Sequence, residues 1–93
     1  MPIQSFKCQN TKALFEGQRV PRWVNIERAA LRKLAQLDWS LVLSDLCIPP
    51  GNQLEALKGN RQGQHSIRIN EQWRVCFVWR GDGPQEVEIV DYH

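Results

Sequence analysis

Asp91, Tyr92 and His93 stand side by side after the strand-like run 85–90. A carboxylate, a phenol and an imidazole can transfer protons or hold an anion. Upstream lies a cationic, polar segment, Lys58, Gly59, Asn60 and Arg61, with Glu55 just before it and Arg68 and Arg74 beyond. Titratable groups beside several cations suit chemistry on a phosphate. Guanidinium can bridge two phosphate oxygens, which makes Arg74 the first candidate for such a contact.

These residues need elements to position them. Residues 3–6 read as a short first strand, and residues 10–16 as a short helix capped by Asn10 or Thr11 and ended by Gly17. Pro21 is placed to open a second helix. From Val24 onward, Ile26, Ala30, Leu31, Leu34 and Leu37 keep helical spacing, with Asn25, Arg28, Arg32 and Gln36 on the other face. Residues 39–47 are irregular, with a helical turn at 44–46. The cluster Ile48-Pro49-Pro50-Gly51-Asn52 then separates a helical half from a strand-rich half.

The second half reads as an antiparallel meander: strands at 53–57, 65–69, 73–80 and 85–90, with a loop at 58–63 and a turn at Gly81-Asp82-Gly83. A three-residue loop at 70–72 places Ile69 opposite Trp73 and Ile67 opposite Val75, which keeps the apolar residues on one face. The same register sets Arg68 opposite Arg74 on the other face. Opposed like charges are unfavourable unless something separates them. An anion bound on that face would do so; splaying of both side chains into water is the alternative.

The 93 residues fit one domain, residues 1–93, with 42% hydrophobic and 24% charged residues. No apolar stretch is long enough for a transmembrane helix, and residues 1–6 lack the pattern of a signal peptide. Cys8, Cys47 and Cys76 are odd in number and far apart, without a C-x-x-C pair, so reduced thiols are expected and no metal site or cofactor is. All twelve Lys and Arg fall within residues 1–80, while residues 81–93 carry four acids: Asp82, Glu86, Glu88 and Asp91. A basic body can meet phosphates.

Four segments read together are recognisable. Leu54-Glu55-Ala56-Leu57-Lys58-Gly59-Asn60-Arg61 is followed by Ser66-Ile67-Arg68-Ile69-Asn70 and by Gln72-Trp73-Arg74-Val75-Cys76-Phe77, and the sequence closes on Val90-Asp91-Tyr92-His93. This order resembles the RelE/HigB-type toxins of bacterial toxin–antitoxin systems, in particular the HigB branch. Ile3, Ser5-Phe6-Lys7 and Leu14-Phe15 also fit, so the resemblance covers nearly the whole chain. It implies an α+β, RelE-like fold: an antiparallel sheet with two N-terminal helices packed on one face. It also implies a cytoplasmic endoribonuclease that cuts mRNA on the ribosome, a cognate helix-turn-helix antitoxin that neutralises it, and operator DNA bound through that antitoxin. Three positions depart from the pattern. Glu55 stands where many members carry histidine, Asn60 where Asp is common, and His65 where an aromatic residue is usual. His65 is either incidental or a partial substitute for the missing imidazole.

RNA can be cut by attack of its own 2′-hydroxyl on the adjacent phosphate, given a base, cations for the phosphorane charge and an acid for the leaving oxygen. With the resemblance, Arg74, His93, Tyr92, Asp91 and Glu55 become the catalytic candidates, and Lys58, Arg61 and Arg68 the RNA-binding ones. Each has a rival reading. On those rival readings His93 is a disordered terminal histidine, Tyr92 a half-buried strand-end residue and Asp91 a strand-end charge. Glu55 is otherwise a surface ion pair with Lys58 or Arg74, and Lys58 and Arg61 are solvated loop cations. At the level of function the rivals are a non-catalytic ribosome- or RNA-binding growth inhibitor, a co-repressor acting only with its antitoxin, and a protein whose arginine face binds an acidic partner.

Overall fold

A computed structural model describes residues 2–91. Its regular elements are helix α1 (Gln9–Phe15), helix α2 (Glu27–Trp39) and strands β1 (Glu55–Ala56), β2 (His65–Arg68), β3 (Trp73–Arg80) and β4 (Gly83–Asp91). The strands form one antiparallel sheet in the order β1-β2-β3-β4, so the expected α+β architecture is found. None of the described helices is long and apolar enough to cross a membrane.

The helices bury one stripe each. Leu14 of α1 and Ala30, Leu34 and Leu37 of α2 pack with Ile67, Ile69, Val75, Phe77, Val87 and Ile89 of the sheet. Arg28 and Arg32 are exposed on the far side of α2, as the helical spacing requires. Helix α1 ends as the sequence indicates. Gly17, at φ +96°, donates to the Leu14 carbonyl and Gln18 donates to that of Ala13, a paired closure that needs a left-handed residue. The capping expectation at its start is corrected: Cys8 holds the cap position without a side-chain bond, and α1 begins at Gln9. Thr11 is instead buried, its hydroxyl accepting the Ile89 amide at 3.1 Å and so tying α1 to β4.

Three further expectations change. Pro21 opens a 3₁₀ turn, Pro21–Trp23, and α2 starts only at Glu27. The first strand is reduced to a single parallel bridge, Phe6 to Val87. Residues near it still run along β4 through the Gln4 amide to the Pro84 carbonyl, the Val87 amide to the Ser5 carbonyl and the Lys7 amide to the Val87 carbonyl. A bulge disrupts regular pairing there: Cys76 faces Glu88 while Val78 faces Gln85, and Glu86 takes φ +51° with its amide turned onto the Ser5 hydroxyl. Lastly, the strand expected at 53–57 survives only as Glu55–Ala56, because Gln53 adopts a left-handed conformation at the end of a 3₁₀ turn, Pro50–Asn52.

The β2–β3 hairpin has the anticipated register, with Ile67 opposite Val75 and Arg68 opposite Arg74. Asn70 fixes its loop: the side-chain oxygen accepts the amides of Gln72 and Trp73, each at 2.8 Å.

Candidate functional site

The sheet face turned away from the helices carries the polar residues. Strand alternation puts Ser66 and Arg68 of β2, Arg74 and Cys76 of β3, and Glu88 and Val90 of β4 on this side. Arg74 is its centre and is only 6% exposed. A buried cation is tolerated only where it is paired and hydrogen-bonded. Here Nε donates to the Ser66 hydroxyl at 2.8 Å, and Nη2 donates to the carbonyls of Gln53 and Ser66. The Glu55 carboxylate lies 3.2 Å from Nη2, its side chain half exposed.

These contacts resolve the opposed arginines in a third way. Neither a bound anion nor simple splaying is needed, because Arg74 is drawn towards β1 by Glu55 and the Gln53 carbonyl. Arg68 stays partly exposed, and among the described residues its side chain has no hydrogen bond or ion pair. The two arginines line a solvent-open cavity of ≈ 350 Å³ together with Gln53, Asn70 and Glu71. Two guanidinium groups thus border one open space.

Other candidates are placed less centrally. Arg61, on the 3₁₀ turn Gly59–Arg61, reaches Glu88 at 3.0 Å and the Gln64 side chain at 3.1 Å. Lys7 approaches the same Glu88 carboxylate at 3.7 Å. Lys58 is exposed and precedes that turn. Asp91 pairs with Trp73, so alternation sets it on the Trp73 side of the sheet, and it accepts a bond from the Gln72 amide group at 3.1 Å. Arg74 pairs with Val90, one position earlier. Tyr92 and His93 lie outside the described residues. His65 stacks on Phe77 of the core at 6.3 Å, on the side of β2 opposite Ser66, so it does not stand in for an imidazole beside Arg74.

Cys76 sits beneath this face, fully buried. Burial pushes its thiol above the ordinary value, with Glu88 adding to the rise and Arg61, Arg74 and Lys7 opposing it. Reading the sequence alone overlooked Ser66, the Gln53 carbonyl and Glu88 as partners of the arginines. Ser66 carried a signal: it is a small polar residue on the arginine side of a strand, diagonal to Arg74 in the register that the hydrophobic pattern selects.

This constellation can be compared with known proteins. The family model described as "RelE-like toxin of type II toxin-antitoxin system HigB" matches residues 4–93. The chain belongs to this family of HigB-like toxins. It is 43% identical to Toxin HigB-1 of Vibrio cholerae serotype O1 over 76 residues, 80% of each chain. It is also 33% identical over 58 residues to an uncharacterized protein of Haemophilus influenzae, 62% of this chain and 57% of that one. It is therefore a toxin of a HigB-type toxin–antitoxin system, and membership of that class implies an antitoxin partner.

Proposed function

We propose that this toxin is a ribosome-dependent endoribonuclease that cleaves mRNA and thereby inhibits translation and growth in the cytoplasm. Residues 1–93 act as one domain, neutralised by a helix-turn-helix antitoxin through which operator DNA is bound. The observation that carries the reading is the pair Arg68 and Arg74 lining one open cavity, with Glu55 held against Arg74. RelE-like toxins are generally endoribonucleases, which agrees with it.

The chemistry follows from the groups available. A scissile phosphate enters the cavity and meets Arg74 and Arg68, displacing the Glu55 carboxylate from the guanidinium. Glu55 then takes the proton of the 2′-hydroxyl as O2′ bonds to phosphorus. Arg74 stabilises the charge that builds on the phosphorane oxygens. The P–O5′ bond breaks, and His93, as imidazolium, gives its proton to the leaving oxygen. A 2′,3′-cyclic phosphate and a 5′-hydroxyl result. Tyr92 stacks on an unpaired base, Asp91 orients a neighbouring group, and Lys58 and Arg61 hold the RNA backbone.

Mapping transcript 5′ ends after induction tests this reading. New ends within codons, carrying 5′-hydroxyls, are expected. Intact messages under stalled ribosomes would instead support a non-catalytic ribosome-blocking protein. One observation favours that second reading: Ser66, Gln53 and Glu55 already engage Arg74, as they would a structural arginine.

A further inference from the structure

Of the described residues, five polar or charged ones are buried: Thr11, Ser40, Asn52, Ser66 and Arg74. Ser66 binds Arg74 directly. Asn52 never touches it, yet no other buried side chain of the irregular stretch between α2 and β1 is polar apart from Ser40 at the helix end. Burying an amide is costly unless its hydrogen-bonding capacity is filled. Asn52 fills it entirely with α2 and the stretch before itself. Its side-chain oxygen accepts Lys33 Nζ. Its side-chain nitrogen donates to Gln36 Oε1 at 2.9 Å, to the Leu46 carbonyl at 3.1 Å and to the Ile48 carbonyl at 3.3 Å. Gln36 itself donates to the Ile48 carbonyl. The polar face of α2 thus grips residues 46–52, although Gln36 reads in the sequence as a solvent-facing residue.

The consequence appears one residue later. Asn52 closes the 3₁₀ turn Pro50–Asn52, whose following amide, that of Gln53, bonds the Pro50 carbonyl at 3.1 Å. Gln53 is thereby set at φ 46°, ψ 57°, an uncommon conformation for a residue with a side chain. That conformation aims the Gln53 carbonyl at Arg74 Nη2. The path runs from α2 through Asn52 and Gln53 to the guanidinium, every step a hydrogen bond or one peptide unit.

We propose that Asn52 is a positioning residue for the reaction, holding the Gln53 carbonyl where, with Ser66, it orients the Arg74 guanidinium towards the cavity. This rests on the reading of Arg74 as the cation of an RNA-cleaving site. A merely structural Asn52 would change stability without changing the Arg74 environment, so the test reads that environment directly. The Nη–H signals of Arg74, which include the donor to the Gln53 carbonyl, are followed by ¹H–¹⁵N NMR in the wild-type toxin, Asn52→Ala and Gln36→Ala, with Arg61 Nη–H as internal reference, alongside single-turnover cleavage of mRNA on assembled ribosomes. Gln36→Ala withdraws one partner of Asn52 without emptying a buried site, so it serves if Asn52→Ala does not fold. In either folded variant Arg74 Nη–H exchange is expected to quicken at least tenfold, Arg61 to stay unchanged, and cleavage to slow at least tenfold. An unchanged Arg74 signal in the folded variants overturns the positioning role and leaves the ribonuclease reading standing. An altered Arg74 signal with cleavage at the wild-type rate overturns the inference by overturning the role of Arg74 on which it stands.

Discussion

Arg74 carries two demands at once. It is a buried charge that the fold must satisfy, and under the proposed function it is also the cation that meets the scissile phosphate. Ser66 and the two carbonyls meet the first demand on one side of the guanidinium, and half-exposed Glu55 is the partner a phosphate can displace. Arg74→Lys therefore tests geometry rather than charge. An ammonium has no planar fork to satisfy Ser66 and Gln53 together while facing a phosphate. Cleavage by Arg74→Lys is expected to fall by about 10²-fold or more, in line with the loss of one preorganised donor, with the protein still folded by circular dichroism. Recovery of near wild-type cleavage with lysine would reduce Arg74 to a simple positive charge. Arg68 belongs to a different class, being partly exposed and unpaired among the described residues. Arg68→Ala should shift stability by no more than ~0.5 kcal/mol. It should also weaken RNA binding and flatten the slope of log affinity against log salt by about 0.7, the share of one phosphate contact on a single strand. Titrations of single-stranded RNA at several salt concentrations check both the affinity and the slope.

At the scale of elements, the contrast within α2 is the sharpest. Leu34 is wholly buried, while Trp39, the larger apolar residue, is 75% exposed at the helix end. Leu34→Ala is expected to cost about 2–5 kcal/mol through lost burial and an unfilled cavity, and Trp39→Ala less than about 0.5 kcal/mol. Urea unfolding of both variants decides it, and equal losses would contradict the core assigned here. The same helix shows what the sequence could and could not reveal. Apolar spacing identified its buried stripe, and alternation identified β3 and the register that opposes Arg68 to Arg74, because both patterns are repeated and set by water exclusion. Gln36 and Asn52 were opaque because single polar residues carry no period, and their role depends on a loop folding back across sixteen positions. The shortened β1 was missed for a related reason. The left-handed turn at Gln53 arises from a side-chain network around Asn52, not from a glycine at that position. On the site, the hydrophobic pattern set which cations share a face, while the partners of Arg74 came from the loop at Gln53, from Glu55 of β1 and from Ser66 of β2.

Across the whole molecule, the separation of charge along the sequence does not persist in space. The acidic last strand folds back against the basic body, so that Glu88 meets both Arg61 and Lys7. Of the four cations proposed to meet RNA, Arg61 and Arg74 are thus paired with acids, while Arg68 and exposed Lys58 have no acidic partner among the described residues. Cys76 lies under that charged face, and its raised thiol links stability to pH. Its ordinary value is 9.0. Above that value the unfolded chain loses the proton while the folded chain keeps it, so the folded state binds more protons and stability declines as pH rises. Lys33, lowered by burial and by nearby Arg32, acts in the opposite sense: its folded form holds fewer protons, so stability climbs as pH approaches 10.5. Comparing wild type with Cys76→Ala separates the two. The wild-type midpoint in urea should fall relative to that of the variant between pH 8 and pH 10, and parallel curves would show that the buried thiol does not couple to folding.

The most direct test of the account is the cleavage rate itself, measured in a single turnover on ribosomes programmed with a defined mRNA. Wild type, Arg74→Ala and His93→Ala are compared, each first shown to be folded and to bind the ribosome. The account predicts that both variants bind yet cleave at least about 100-fold more slowly, the scale expected for losing a transition-state cation or a general acid. Cleavage at the wild-type rate by either folded variant would contradict it.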